Sequence, residues 1–174
     1  MKNKLVVFIM LLILSILIVG CNATEDDVKF YLNESIDTVE VNSEYEDPGS
    51  TAIVFGLRRK TEVIENTVDI TKIGTYHIVY RFTYQEITMQ LTRIVTVIDE
   101  TPPVVKLNPG VDTIKLGDAW TDASVSAEDN SKEAVIISQT GSVNTSVKGI
   151  YEIVYTVTDS SKNITSISRF VHVI

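Results

Sequence analysis

The 174-residue sequence repeats itself at an offset of 75 positions, and a repeat of that length constrains the architecture before any local pattern is considered. The pairs Leu32/Leu107, Asn33/Asn108, Asp37/Asp112, Thr38/Thr113, Asp47/Asp122 and Ala52/Ala127 are identical. So are Val68/Val143, Gly74/Gly149, Tyr76/Tyr151, Ile78/Ile153, Val79/Val154, Tyr80/Tyr155 and Thr83/Thr158, while Tyr45 meets Trp120. About a quarter of the positions between Leu32 and Thr83 match without a gap, several times what unrelated chains of this composition share. A one-residue slip then aligns Arg93-Ile94-Val95 with Arg169-Phe170-Val171. The two halves are expected to be duplicates with one fold.

Between them lies Asp99-Glu100-Thr101-Pro102-Pro103. Two successive prolines hold an extended backbone and offer no amide to a sheet, so residues 99–103 are expected to link a first module, 29–98, to a second, 104–174. Each module has roughly 70 residues, a size at which one core is only marginally sufficient. The chain has a single cysteine, so no internal disulfide can supplement it.

Both halves have the period of strands. Tyr151, Ile153, Tyr155 and Val157 alternate with Glu152, Val154, Thr156 and Thr158, which predicts a central strand between Gly149 and the turn-forming run Asp159-Ser160-Ser161-Lys162-Asn163. Residues 164–174 should return as a hairpin, and 104–107, 113–116, 123–127 and 134–138 supply shorter strands. After Cys21 no stretch sustains a 3.6-residue period. The expected fold class is therefore all-β, with six or seven short strands per module arranged as two tandem sandwiches.

The first twenty residues follow a different pattern. Lys2 and Lys4 precede an apolar run over 5–19, broken only by Ser15, and Gly20-Cys21 closes it. About 15 apolar residues are too few for a spanning helix, and no acid occurs before Glu25, so an exported signal peptide over 1–20 is expected. Ile18-Val19-Gly20-Cys21 resembles the lipobox of bacterial lipoproteins, which implies a diacylglyceryl group on Cys21. Two acyl chains hold a protein on a membrane stably, so residues 21–28 become a lipidated tether and the modules face the extracytoplasmic side of the cell membrane. Removal of 1–20 takes away two lysines and no acids, shifting the formal charge from −8 to −10. Such acidity argues against nucleic acid and against anionic headgroups, both of which need clustered Lys and Arg.

Three segments of the second half resemble the bacterial immunoglobulin-like domains named after an insecticidal crystal protein, which recur as tandem copies in surface proteins. They are Asp99-Glu100-Thr101-Pro102-Pro103-Val104, Leu116-Gly117-Asp118-Ala119-Trp120-Thr121-Asp122, and the run from Gly149-Ile150-Tyr151 to Thr158-Asp159. The first half is similar but divergent: Tyr45 replaces the tryptophan, and Tyr84-Gln85-Glu86 stands where the Asp159 turn is expected. The resemblance implies an immunoglobulin-like sandwich serving as an extracellular module, without shared catalytic residues. In this light Tyr76 and Tyr151, each two residues after a turn glycine, resemble the tyrosine corner of such sandwiches.

No constellation of catalytic or metal-ligating residues is expected in this chain. His77 and His172 stand at non-equivalent strand positions and are expected to face solvent or an edge. Two histidines and one cysteine cannot assemble a zinc site. Glu128-Asp129-Asn130-Ser131 and the residues from Asp159 to Asn163 offer oxygens suited to calcium, yet no EF-hand spacing is present and turn chemistry accounts for both runs, so no metal is expected. Arg58-Arg59-Lys60 suggests a solvated hairpin tip, and Glu44, Glu46 and Asp47 a solvated loop. Tyr45 and Trp120 are expected to be core anchors rather than sugar-stacking platforms. The expected function is a non-catalytic, membrane-tethered surface module, adhesive or spacing, with no catalytic residue and no cofactor. Its partners would be membrane lipid through Cys21 and an envelope or host-surface protein or glycan. A carbohydrate- or peptide-binding accessory lipoprotein serving an enzyme or transporter is the alternative, and an enzyme the third.

Overall fold

Alternating β-branched and aromatic residues form the strands of both halves in the computed structural model, which describes residues 22–174. The expected signal segment and Cys21 lie outside the described residues. The first half carries β1 (Val28–Leu32), β2 (Thr38–Glu40), β3 (Ser50–Val54), β4 (Leu57–Arg59), β5 (Glu62–Asn66), β6 (Gly74–Tyr84) and β7 (Ile87–Ile98). The second carries β8 (Val104–Leu107), β9 (Thr113–Ile114), β10 (Val125–Glu128), β11 (Ile136–Thr140), β12 (Gly149–Thr158) and β13 (Ile164–Val173). Apart from a single 3₁₀ turn at Glu25–Asp27, the regular structure among the described residues is all strand, so the protein is all-β.

The strands pair into four sheets, ordered β1-β3-β4 and β2-β7-β6-β5 in the first half, β10-β8 and β11-β12-β13-β9 in the second. The repeat is visible in the register itself. Leu32 opposes Ser50 as Leu107 opposes Val125, and Lys29 opposes Ile53 as Val104 opposes Glu128. In both halves a short strand joins a long one in parallel, Thr38 beside Thr96 and Thr113 beside His172. As its alternation requires, β12 is central, flanked by β11 and β13.

The halves diverge at turns, in the presence of β4 and at a bulge between Val63 and Glu65 of β5. Phe55 and Gly56, with φ of 51° and 77°, make the two-residue reversal that a right-twisted hairpin favours, and this creates β4. The second half turns instead through Asp129 to Lys132, and no strand equivalent to β4 follows. The β6–β7 reversal takes only Gln85 and Glu86, with Gln85 at φ 52°, whereas β12 and β13 are joined by residues 159–163. Expected strand starts at 123 and 134 move to Val125 and Ile136. The cause of the first shift is local: Ser124 sits at φ 60° and donates its amide to Asp122 Oδ1, a conformation that no strand residue adopts.

Each half buries residues from both of its sheets, the requirement of a sandwich. In one cluster Ala52 and Val54 of β3 meet Phe82 of β6, flanked by Phe30 and Tyr84. In the other Val125 of β10 meets Ile153, Tyr155 and Val157 of β12, flanked by Leu107, Trp120 and Ile167. The chain divides into two compact units. One comprises the described part of Met1–Ser35 with Asp47–Asn66 and His77–Arg93; the other comprises Ile36–Glu46, Thr67–Tyr76 and Ile94–Ile174.

Candidate functional site

A fully buried arginine anchors each half. Arg93 and Arg169 are both 2% exposed, on β7 and β13, the two positions that align only after the one-residue slip. Arg93 donates to the backbone oxygens of Asn33 and Gly49 at 2.7 and 3.1 Å and to the Tyr80 hydroxyl at 3.3 Å. Arg169 donates to the oxygens of Asn108 and Ser124 at 2.6 and 3.4 Å and to Asp112 Oδ1 at 2.6 Å. Tyr80 in turn donates to Asp47, and Tyr155 to Asp122. Burial, and then the bond to Asp47, push the Tyr80 phenol up to about 12 against the pull of Arg93. Burial acts to lower the Arg169 pKa, but Asp112 and Tyr155 outweigh it and the guanidinium stays charged.

These clusters are scaffolding. Apart from Arg169 Nε, which is buried without a hydrogen-bond partner, their polar atoms face one another, and they fix the turn after Asp47 or Asp122 against a long strand. The aromatic positions have the same character. Trp120 is half-buried against the core and its indole donates to the Val111 oxygen at 2.9 Å; Tyr45 is half-buried too. The hydroxyls of Tyr76 and Tyr151 donate to the Lys72 and Val147 oxygens four residues upstream, both at 2.8 Å, the geometry of a tyrosine corner.

Other singled-out residues remain apart from any common centre. His77 pairs with Glu65 at 3.1 Å, and His172 is exposed on β13. Arg58 and Arg59 lie on β4, past the tip at Phe55 and Gly56, with Arg59 5.3 Å from the Tyr84 ring centre. Glu44 and Glu46 are exposed, while Asp47 is occupied by Tyr80 and the Gly49 amide.

Three loops of the second unit do converge. Asp99 follows β7, Asp129 follows β10 and Asp159 follows β12, and each offers a carboxylate oxygen within 4.8 Å of the other two. Asp99 is 7% and Asp159 1% exposed. Asp159 accepts from the Asn163 amide at 2.8 Å and from its side chain at 2.9 Å. Asp99 Oδ1 accepts weakly from the Thr101 amide at 3.3 Å, whereas Asp99 Oδ2 and Asp129 Oδ2 are buried without a hydrogen-bond partner. Burial pushes the Asp99 carboxyl above its ordinary range and the charges of Asp129 and Asp159 push the same way, with only partial relief from Ser161 and Thr101. A carboxyl with a raised folded pKa holds its proton more tightly folded than unfolded. Stability is therefore greatest below its ordinary value and falls as pH rises through the raised one.

Beside this triad, Glu40 at the end of β2 accepts from the amides of Glu100 and Thr101 at 3.1 Å and from Asn130 Nδ2 at 2.9 Å. Burial opposes its charge, yet hydrogen bonds from Thr101, Glu100 and Asn130 hold it below the usual carboxylate range. Asn42 donates to the Asn130 backbone oxygen at 2.9 Å. An open groove of about 510 Å³ borders the same loops, lined by Val41, Lys72, Ser131, Glu133 and Ser161 among others.

Residues 111–173 match the family described as bacterial surface protein, Ig-like domain. No curated protein sequence matches the chain. Among solved structures, a lipoprotein of Bacteroides thetaiotaomicron is similar at 16% identity, covering 83% of this chain and 99% of its own, with a TM-score of 0.36. The extracellular domain of protocadherin GammaB4 is similar at 15% identity, covering 87% of this chain and 27% of its own, with a TM-score of 0.39.

Proposed function

We propose that this chain is a non-catalytic surface lipoprotein, held by a diacylglyceryl group on Cys21, whose two immunoglobulin-like modules hold or present a binding surface outside the cell membrane. The observation that carries the reading is the match of 111–173 to a bacterial surface immunoglobulin-like domain. The position of Cys21 at the end of an apolar run supports the anchor. Among the described residues no helix is long and apolar enough to cross a membrane.

The modules correspond to 29–98 and 104–174, joined by 99–103. A spacer needs a joint that resists bending, and Glu40 and Asn42 from the first copy both hold Asn130 of the second. The alternative is a carbohydrate- or peptide-binding accessory lipoprotein; the Trp120 indole, which donates to the Val111 oxygen and packs on the core, favours the first reading over sugar stacking at that residue. Metabolic labelling with an alkyne fatty acid tests the anchor: wild type should incorporate label and sediment with membranes, and Cys21→Ala should do neither. Undiminished labelling of Cys21→Ala would reject the anchor.

A further inference from the structure

We infer that Asp99, Asp129 and Asp159 form a binding site for Ca²⁺ at the segment that joins the two copies of the repeat. Both runs that offer calcium-type oxygens in the sequence, 128–131 and 159–163, contribute one carboxylate each. The third comes from Asp99, at the start of the joining segment. Turn chemistry accounts for part of this: Asp129 accepts from the Ser131 amide at 2.9 Å, and Asp159 from Asn163. It leaves Asp99 Oδ2 unexplained, since this oxygen lies on a side chain more than nine-tenths buried, has no donor in hydrogen-bond geometry although Ser161 lies near the carboxyl, and belongs to a group facing two other carboxylates. A second unpaired oxygen, Asp129 Oδ2, belongs to the same cluster.

Placing three acids together without a cation is costly, because each charge is repelled by its neighbours and burial strengthens the repulsion. A divalent cation removes the repulsion and supplies the missing partner for both orphan oxygens. The donor set is all oxygen, which selects a hard ion over zinc or copper. Between the common hard ions, Ca²⁺ fits better. It accepts six to eight oxygens in flexible geometry and sheds water readily, whereas Mg²⁺ demands near-ideal octahedral geometry and keeps its waters, which three ligands from separate loops around a buried carboxylate do not favour. Solvent completes the shell. Because Asp99 opens the joining segment while Asp129 and Asp159 belong to the second copy, the bound ion ties that segment to the loops beside it. Stiffness at the joint would then follow extracellular calcium.

Calorimetric titration of CaCl₂ into detergent-solubilised full-length protein, stripped with EDTA, tests the assignment. We expect one site with Kd in the range of about 0.1–1 mM typical of extracellular calcium modules. Saturation should raise the thermal midpoint by about 5 °C. Asp99→Asn and, should that variant fold poorly, the less buried Asp129→Asn should each weaken Ca²⁺ binding more than tenfold. MgCl₂ should bind at least tenfold more weakly than CaCl₂. Absence of Ca²⁺ binding at 5 mM (about five times the weakest Kd expected), affinity unchanged in Asp129→Asn, or equal affinity for Mg²⁺ would overturn the assignment.

Discussion

Arg93 and Arg169 show how a single residue type holds a domain of this size together without a disulfide. Each guanidinium is buried, and its Nη2 donates to two backbone oxygens at the adjoining ends of a strand pair, Asn33 and Gly49 beside β1/β3 or Asn108 and Ser124 beside β8/β10. Replacing Arg169 by Met removes that donor from the Asn108 and Ser124 oxygens and from Asp112; the Asp112 side chain is 45% exposed and water takes it up, so the loss comes from the buried backbone oxygens and is about 1–3 kcal/mol. Arg169→Lys should recover little of that, because an ammonium cannot reach three acceptors in fork geometry. Tyr155→Phe should cost only about 1 kcal/mol, and the double variant should lose less than the sum since the two side chains belong to one network. Urea denaturation of the four variants measures these losses. Simple additivity would show that the tyrosine and the arginine act independently.

At the scale of elements, the alternation of β12 and β13 and the identical registers of β1/β3 and β8/β10 follow directly from a repeat that is legible in the sequence. The buried arginines were not singled out from the sequence, because charged residues in strands usually face solvent. The signal was nevertheless present: Arg93/Arg169, Tyr80/Tyr155 and Asp47/Asp122 recur together in both halves, as the members of one polar network would. The acidic triad was half legible. Its two loops carry calcium-type oxygens, but Asp99 looked like linker, and convergence of three loops is a tertiary fact that local pattern does not contain. Two glycines separate local strain from tight packing. Gly141, which follows β11, has φ +92°, and a Cβ there would clash with the Glu152 backbone oxygen; Gly117 has φ +87° with open space around it. Gly117→Ala should cost about 1 kcal/mol from strain alone. Gly141→Ala, which adds a clash with backbone that cannot yield, should cost about 3 kcal/mol or more. Equal losses in thermal denaturation would contradict the close approach of β12 to Gly141.

For the whole molecule, an acidic, all-β chain whose residues 111–173 match a bacterial surface Ig-like domain fits a surface location, and the proposed anchor at Cys21, after the apolar run 5–19, places the modules outside the cell membrane. Sequence patterns conveyed the fold class almost completely, since period-two alternation and a duplicated register leave few alternatives. They conveyed little about a partner, because exposed residues such as Ile136, Ile150 and Phe170 follow no pattern that strand formation requires. The most direct test of the account is protease treatment of spheroplasts, with the chain detected by an antibody to residues 104–174. Membrane-bound protein that is degraded by protease added outside, without lysis, is the predicted result; membrane-bound protein that stays intact until the membrane is broken would contradict it.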